Sequence, residues 1–137
     1  MTAVLFVCLR PRAAAAVLML AALLPALGGC ARDEAPAAAF TTVAGGDAAR
    51  GRELLLQHQC GSCHVIADVP AAAGRVGPSL SDFGRRSYIA GQLPNTPQAL
   101  QQWLQQPQAL VPGTTMPDMG VRAADARDMA AFLLQPR

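Results

Sequence analysis

Two cysteines three positions apart, followed at once by a histidine, form the most reactive cluster in this 137-residue sequence: Cys60-Gly61-Ser62-Cys63-His64. Two thiols at that spacing can add to the two vinyl groups of one porphyrin, and the adjacent imidazole then falls under the iron. Three other chemistries compete for the same residues. Zinc needs four ligands, and beyond this cluster the chain offers just His58, with no second C-x-x-C. A thioredoxin-like redox pair needs a strand before the motif and a βαβ setting, whereas residues 48–59 read as a helix. A plain disulfide leaves His64 without a task. Porphyrin attachment uses all three side chains, so one covalent haem c is the expected cofactor, with His64 as the fifth ligand.

The opposite face of the iron decides what it can do. Gly113-Thr114-Thr115-Met116-Pro117 reads as an extended loop able to bring the Met116 thioether there, with Met119 as the near rival and Met129 a remote one. His58 precedes His64 by about one turn and reads as solvated. The porphyrin carboxylates need donors, for which Tyr88 and Trp103 have suitable polar tips, with Arg75, Arg85, Arg86 and Asn95 as weaker candidates. With both axial positions filled no substrate reaches the iron, and the expected chemistry is one-electron exchange by a carrier rather than catalysis by an enzyme. Two alternatives remain: a haem sensor or peroxidase-like enzyme with an open distal site, and a fixed electron-entry subunit of a larger oxidoreductase.

These residues need elements to hold them. Asp47 can cap a helix that carries Ala48, Gly51 and Leu55 on one face, and Ala126, Met129, Ala130 and Leu133 mark a matching stripe near the C-terminus. The two helices are expected to cross where Gly51 removes a side chain. A third helix has Thr96 as cap, Pro97 in its first turn, Leu100, Trp103 and Leu104 on one side, and Pro107 as its stop; it should form one wall of the pocket. Residues 47–137 hold 24 large apolar side chains, and seven prolines lie between Pro70 and Pro117. That predicts a small all-α domain of short helices and loops, whose underfilled interior the macrocycle would complete.

The front of the chain has another purpose. Arg10 and Arg12 precede the uncharged run from Ala13 to Leu27, which ends in Leu27-Gly28-Gly29-Cys30. The run falls short of the roughly 20 apolar residues needed to cross a bilayer, so residues 1–29 read as a secretory signal, with an uncleaved anchor as the alternative. Leu-Gly-Gly-Cys resembles a bacterial lipobox, which implies lipidation of Cys30 and a location on the periplasmic side of the cell envelope. Residues 30–46, rich in Ala, Pro, Gly and Thr, then form anchor and tether, with a reach of roughly 20 to 25 Å. Export also suits haem attachment. All 11 basic residues are arginine, against 9 acidic ones. From Arg32 onward the two signs balance, which excludes a nucleic-acid reader.

Taken together the motifs resemble a class I monohaem cytochrome c over Asp47 to Leu134. The likeness rests on C-x-x-C-H near the end of an N-terminal helix, Gly77-Pro78-Ser79-Leu80 after it, and Thr115-Met116-Pro117 ahead of a C-terminal helix. The stretch Arg85-Arg86-Ser87-Tyr88-Ile89-Ala90-Gly91-Gln92-Leu93-Pro94-Asn95-Thr96-Pro97 is similar to the haem-c domains of subunit II of bacterial terminal oxidases. The resemblance implies three to five short helices around the haem, Met116 as sixth ligand, the Pro78 carbonyl as acceptor for His64, and Phe132 packed against Gly51. It implies redox partners such as a terminal oxidase, a quinol-oxidising complex or a dehydrogenase. The chain departs from many relatives in having no lysine, so a lysine ring cannot steer it, and a short Arg patch with membrane tethering would take its place.

Overall fold

The computed structural model describes residues 41–136. The expected signal segment, Cys30 and most of the expected tether lie outside the described residues. Helix α1 (Ala48–Gln57) starts where Asp47 accepts hydrogen bonds from the backbone N–H groups of Ala49 and Arg50 at 2.9 and 3.1 Å. It buries Gly51, Leu54 and Leu55, the i, i+3, i+4 face of one helical stripe. The helix ends two residues earlier than the sequence pattern implies. Gln59 adopts a left-handed conformation (φ 54°), and the chain reverses into a 3₁₀ turn over Cys60–Ser62.

Helix α2 (Pro97–Gln105) has the predicted cap, with Thr96 Oγ1 accepting from Ala99 N–H at 3.2 Å, and it buries Pro97, Leu100, Trp103 and Leu104. Pro107 ends it and opens the single turn of α3 (Pro107–Leu110). Helix α4 (Ala123–Leu133) buries the whole expected stripe of Ala126, Met129, Ala130 and Leu133. Among the described residues these four short helices fall within the expected three to five, and none is long and apolar enough to cross a membrane.

The helical fold class holds, and one small hairpin is added to it. Strands β1 (Tyr88–Ile89) and β2 (Leu93–Pro94) pair antiparallel, Tyr88 opposite Pro94 and Ile89 opposite Leu93. Ala90 and Gly91, both at positive φ (50° and 71°), make the turn, closed by a 3.0 Å bond from Gln92 N–H to the Ile89 carbonyl.

Helices α1 and α4 cross at Gly51. A methyl group on Gly51 would strike the Asp128 carbonyl, so the approach is backbone to helix, one turn before Phe132. The crossing is locked by carboxylates on the buried side of α4. Asp128 accepts from Asp47 N–H at 3.0 Å and from the Arg50 guanidinium. Asp125 accepts from Arg50 at 2.6 Å and from Arg122 at 2.9 Å. Both carboxylates are nearly inaccessible, at 2% and 3% exposure, and a buried carboxylate is tolerable only when bonded in this way.

The Arg122 bond, with Arg50 behind it, holds the Asp125 carboxyl below its ordinary range, and the Asp47 N–H together with Arg50 does the same for Asp128. Groups lowered on folding stabilise above their unfolded pKa and lose that contribution as pH falls through the folded one. The thermal midpoint is therefore expected to decline from about pH 5 downward. Asp125→Asn and Asp128→Asn should each be less stable at pH 7 and flatter below pH 5. Midpoints of variants and parent that fall in parallel with acid would count against this assignment.

Candidate haem site

The end of α1, the C-x-x-C-H turn, the loop 76–80, the inner face of α2 and the loop 114–119 enclose one cavity of about 310 Å³. The sequence accounts for its assembly. Backbone bonds lace the loop after His64 onto the motif: Gly74 N–H to the Gly61 carbonyl at 2.9 Å, Gly77 N–H to that of Cys63 at 2.8 Å, and Leu80 N–H to that of Val65 at 2.7 Å. These place Pro78 beside His64, whose Nδ1–H donates to the Pro78 carbonyl at 2.7 Å. A carbonyl only accepts, so the proton resides on Nδ1, and Nε2 keeps its lone pair for a ligand. Gly77 lies flat against the imidazole, where a Cβ would stand 2.7 Å from Nδ1 and 2.9 Å from Nε2.

Cys60 and Cys63 both line the cavity as free, half-buried thiols. Burial, with a smaller contribution from nearby Cys63, pushes the Cys60 thiol up to about 11. A thiol-disulfide exchange pair needs the reverse, a thiol lowered toward neutrality. No three His, Cys, Asp or Glu side chains among the described residues converge as a metal site.

Met116, half-buried, lines the cavity from the opposite stretch of chain, its N–H bonded to Thr114 Oγ1 at 3.3 Å. Met119 also borders the cavity but is 38% exposed. Met129 is fully buried in the α4 core, and His58 caps the C-terminus of α1; neither touches the cavity. Trp103 contributes to the wall from α2.

Tyr88 is not brought to the cavity. It is 58% exposed, because neighbours along a strand point to opposite faces and Ile89, at 1%, takes the inward one. Arg86 reaches the lining, with its guanidinium donating to the Ser79 carbonyl and 5.5 Å above the Phe83 ring. Arg75 and Arg85 stay exposed outside it. Asn95 is buried and clasps the carbonyls of Phe83 and Arg86 at 3.1 and 3.0 Å, which is a loop-fixing role. Gly77 is the site residue that sequence reading passed over as part of a motif without a task.

The donor set fits a covalently anchored porphyrin: two thiols on one turn, an imidazole with one free nitrogen, a thioether, and mostly apolar walls. Fold and site thus define a small helical domain whose residues fit a covalently held macrocycle. The chain belongs to the cytochrome c family, whose model, described as Cytochrome c, matches residues 48–136. Membership implies covalently bound haem c and an electron-transfer role. The chain is also 37% identical over 68 residues to cytochrome c oxidase subunit 2 of Alkalihalophilus pseudofirmus, covering 50% of this chain and 19% of that protein. It is 31% identical over 87 residues to cytochrome c oxidase subunit 2 of Bacillus subtilis, covering 62% and 24%. The chain spans about a fifth to a quarter of the length of these curated relatives.

Proposed function

We propose that the chain is a monohaem cytochrome c tethered to the bacterial membrane, with His64 and Met116 as axial ligands and a terminal oxidase as electron acceptor. One observation carries this reading: an imidazole fixed through Nδ1 by Pro78 and a half-buried thioether share one cavity with the two free thiols. The haem iron, when bound, supplies one-electron exchange between ferrous and ferric states. The chain's residues set the conditions. Pro78 keeps the proton on Nδ1 and aims Nε2. The Met116 thioether favours the reduced state and so raises the potential. Leu55, Ile89, Leu100 and Leu104 give the cavity apolar walls, which would limit reorganisation, and Trp103, also in the lining, would be the residue to offer an indole N–H to a haem carboxylate. The oxidase subunits among its relatives support the acceptor, whether the domain moves freely on its tether or is fixed in a complex.

The test is the visible spectrum of the ferric holoprotein. A weak far-red band from methionine sulfur on iron is expected, lost in Met116→Ala and kept in Met119→Ala. A band lost in Met119→Ala instead would transfer the ligand role. No band at all, with a spectral change on adding carbon monoxide to the reduced protein, would replace the carrier by the sensor or enzyme with an open site.

Lipid on Cys30 is the proposed anchor, on the periplasmic side. Cys30→Ser is expected to move the protein from the membrane to the soluble fraction on cell fractionation, and retention in the membrane would assign the anchor to an uncleaved N-terminal helix.

A further inference from the structure

The two thiols are held in place by different means. Cys60 follows α1 closely: His58 N–H still bonds the Leu54 carbonyl at 2.9 Å and Gln59 N–H that of Leu56 at 3.0 Å, and Cys60 itself packs against the hydrophobic core. Cys63 lies beyond the left-handed Gln59 and the 3₁₀ turn, where the helix no longer guides the chain, and it is not among the residues packed on that core. Something else must hold it.

The turn has two faces. Cys60, Ser62, Cys63 and His64 line the cavity, whereas Gly61 does not. Gly61 is pressed from behind by residues 72–74: a Cβ on it would stand 2.6 Å from Cα and 2.7 Å from Cβ of Ala72. Gly74 makes the closest approach. Its N–H donates to the Gly61 carbonyl at 2.9 Å, and a Cβ there would overlap the Ser62 carbonyl group and the Cys63 carbonyl carbon, main-chain atoms with no rotamer to yield. Gly77 N–H then holds the Cys63 carbonyl at 2.8 Å. This backing is itself fixed. Val65 pairs with Ala73 in an antiparallel bridge, Ile66 N–H bonds the Ala72 carbonyl and Ala72 N–H the Val69 carbonyl, each at 3.3 Å, and the Ile66 and Val69 side chains are buried.

We infer that residues 72–77 are a splint for haem attachment, in which Gly74 is the residue that positions the Cys63 thiol, while α1 positions Cys60. The inference rests on the reading of both thiols as porphyrin anchors and adds what sets the second of them. Each attachment is an addition. The S–H bond opens, sulfur bonds one carbon of a vinyl group, the hydrogen goes to the other, and the C=C double bond becomes single, so no oxidant or reductant is consumed. Such a step depends on placement, and a displacement of about 1 Å can cost on the order of 100-fold. Gly74→Ala pushes on the turn at Ser62 and Cys63 and leaves the α1 end untouched, so the Cys63 bond is the one that fails.

The test reads each bond separately. Haem-loaded protein from a bacterial host able to attach haem c is denatured, its free thiols are alkylated with iodoacetamide, and the tryptic peptide 53–75, which contains both cysteines, is weighed and fragmented. The parent is expected to carry haem on both. Gly74→Ala should raise the fraction with haem on Cys60 and an alkylated Cys63 about tenfold or more. Two intact attachments in that variant, or haem on Cys63 with Cys60 alkylated, would overturn the splint. Should Gly74→Ala accumulate no holoprotein, covalent haem per chain is compared between Cys63→Ala and the double variant Cys63→Ala/Gly74→Ala. Values within about twofold would support an action through Cys63 alone, and a further loss in the double variant would reduce Gly74 to general packing and overturn the proposal. A parent without covalent haem would instead remove the attachment reading on which the splint rests.

Discussion

Gly51→Ala is expected to destabilise the domain by about 3 kcal/mol, the upper end of what overpacking costs, although alanine is the better helix former. The two effects oppose each other, and their sizes decide the sign. Replacing a mid-helix glycine should gain roughly 0.5 to 1 kcal/mol from backbone entropy. The new methyl, however, would meet the Asp128 carbonyl and carbon and the Met129 nitrogen, all main-chain atoms of α4 that have no rotamer to yield. Relief requires α1 and α4 to separate, and separation loosens the bonds that Asp47 N–H and Arg50 make to Asp128. Gly45→Ala is the matching control. It has open space around its Cβ and a positive φ of 68°, so it should cost only about 1 kcal/mol of left-handed backbone strain. Urea unfolding of both holoproteins measures the difference. A Gly51→Ala midpoint at or above the parent's would mean that the crossing is more yielding than its geometry implies.

What was readable in the sequence is local. The C-x-x-C-H spacing, the Asp47 cap and the frame of Thr96, Pro97 and Pro107 around Leu100, Trp103 and Leu104 each state a short-range physical requirement. The structure repeats each of them. The hairpin was not readable, because its turn is Ala90-Gly91 rather than Asn-Gly, and its strands are two residues long. The same short strands leave unread which of Tyr88 and Ile89 faces inward, since a one-residue alternation decides it. Asp125 and Asp128 were hidden for another reason. A charged residue beside an apolar stripe reads as solvent-facing until its partners are known, and Arg50 and the Asp47 N–H come from a helix about 75 residues earlier. Gly51 was readable as the crossing point, whereas the main-chain atoms it meets, the Asp128 carbonyl and the Met129 nitrogen, follow from the helix register and not from sequence spacing.

Gly77 gives the strongest test of the site itself, because it touches the proposed ligand His64 without being one. A Cβ at this position would press on Cε1, Nδ1 and Nε2 of the same His64 ring. Gly77→Ala therefore forces either a rotated imidazole or a retreat of residues 77–78, and both outcomes break the 2.7 Å bond from Nδ1–H to the Pro78 carbonyl. Losing an outer partner of this kind typically weakens a metal–ligand bond about 10- to 100-fold. The expected result is a ferric holoprotein with a substantial fraction of His64 displaced, seen as a changed visible spectrum. The His64 Nδ1–H should also lose its slow exchange with solvent in nitrogen-resolved NMR. Pro78→Ala separates geometry from composition. It removes the ring but keeps the carbonyl, and so should retain the protected proton and most of the parent spectrum. If Gly77→Ala kept a slowly exchanging Nδ1–H and an unchanged spectrum, the imidazole would not be held by this contact, and its orientation would have to come from the thioether-bearing turn alone.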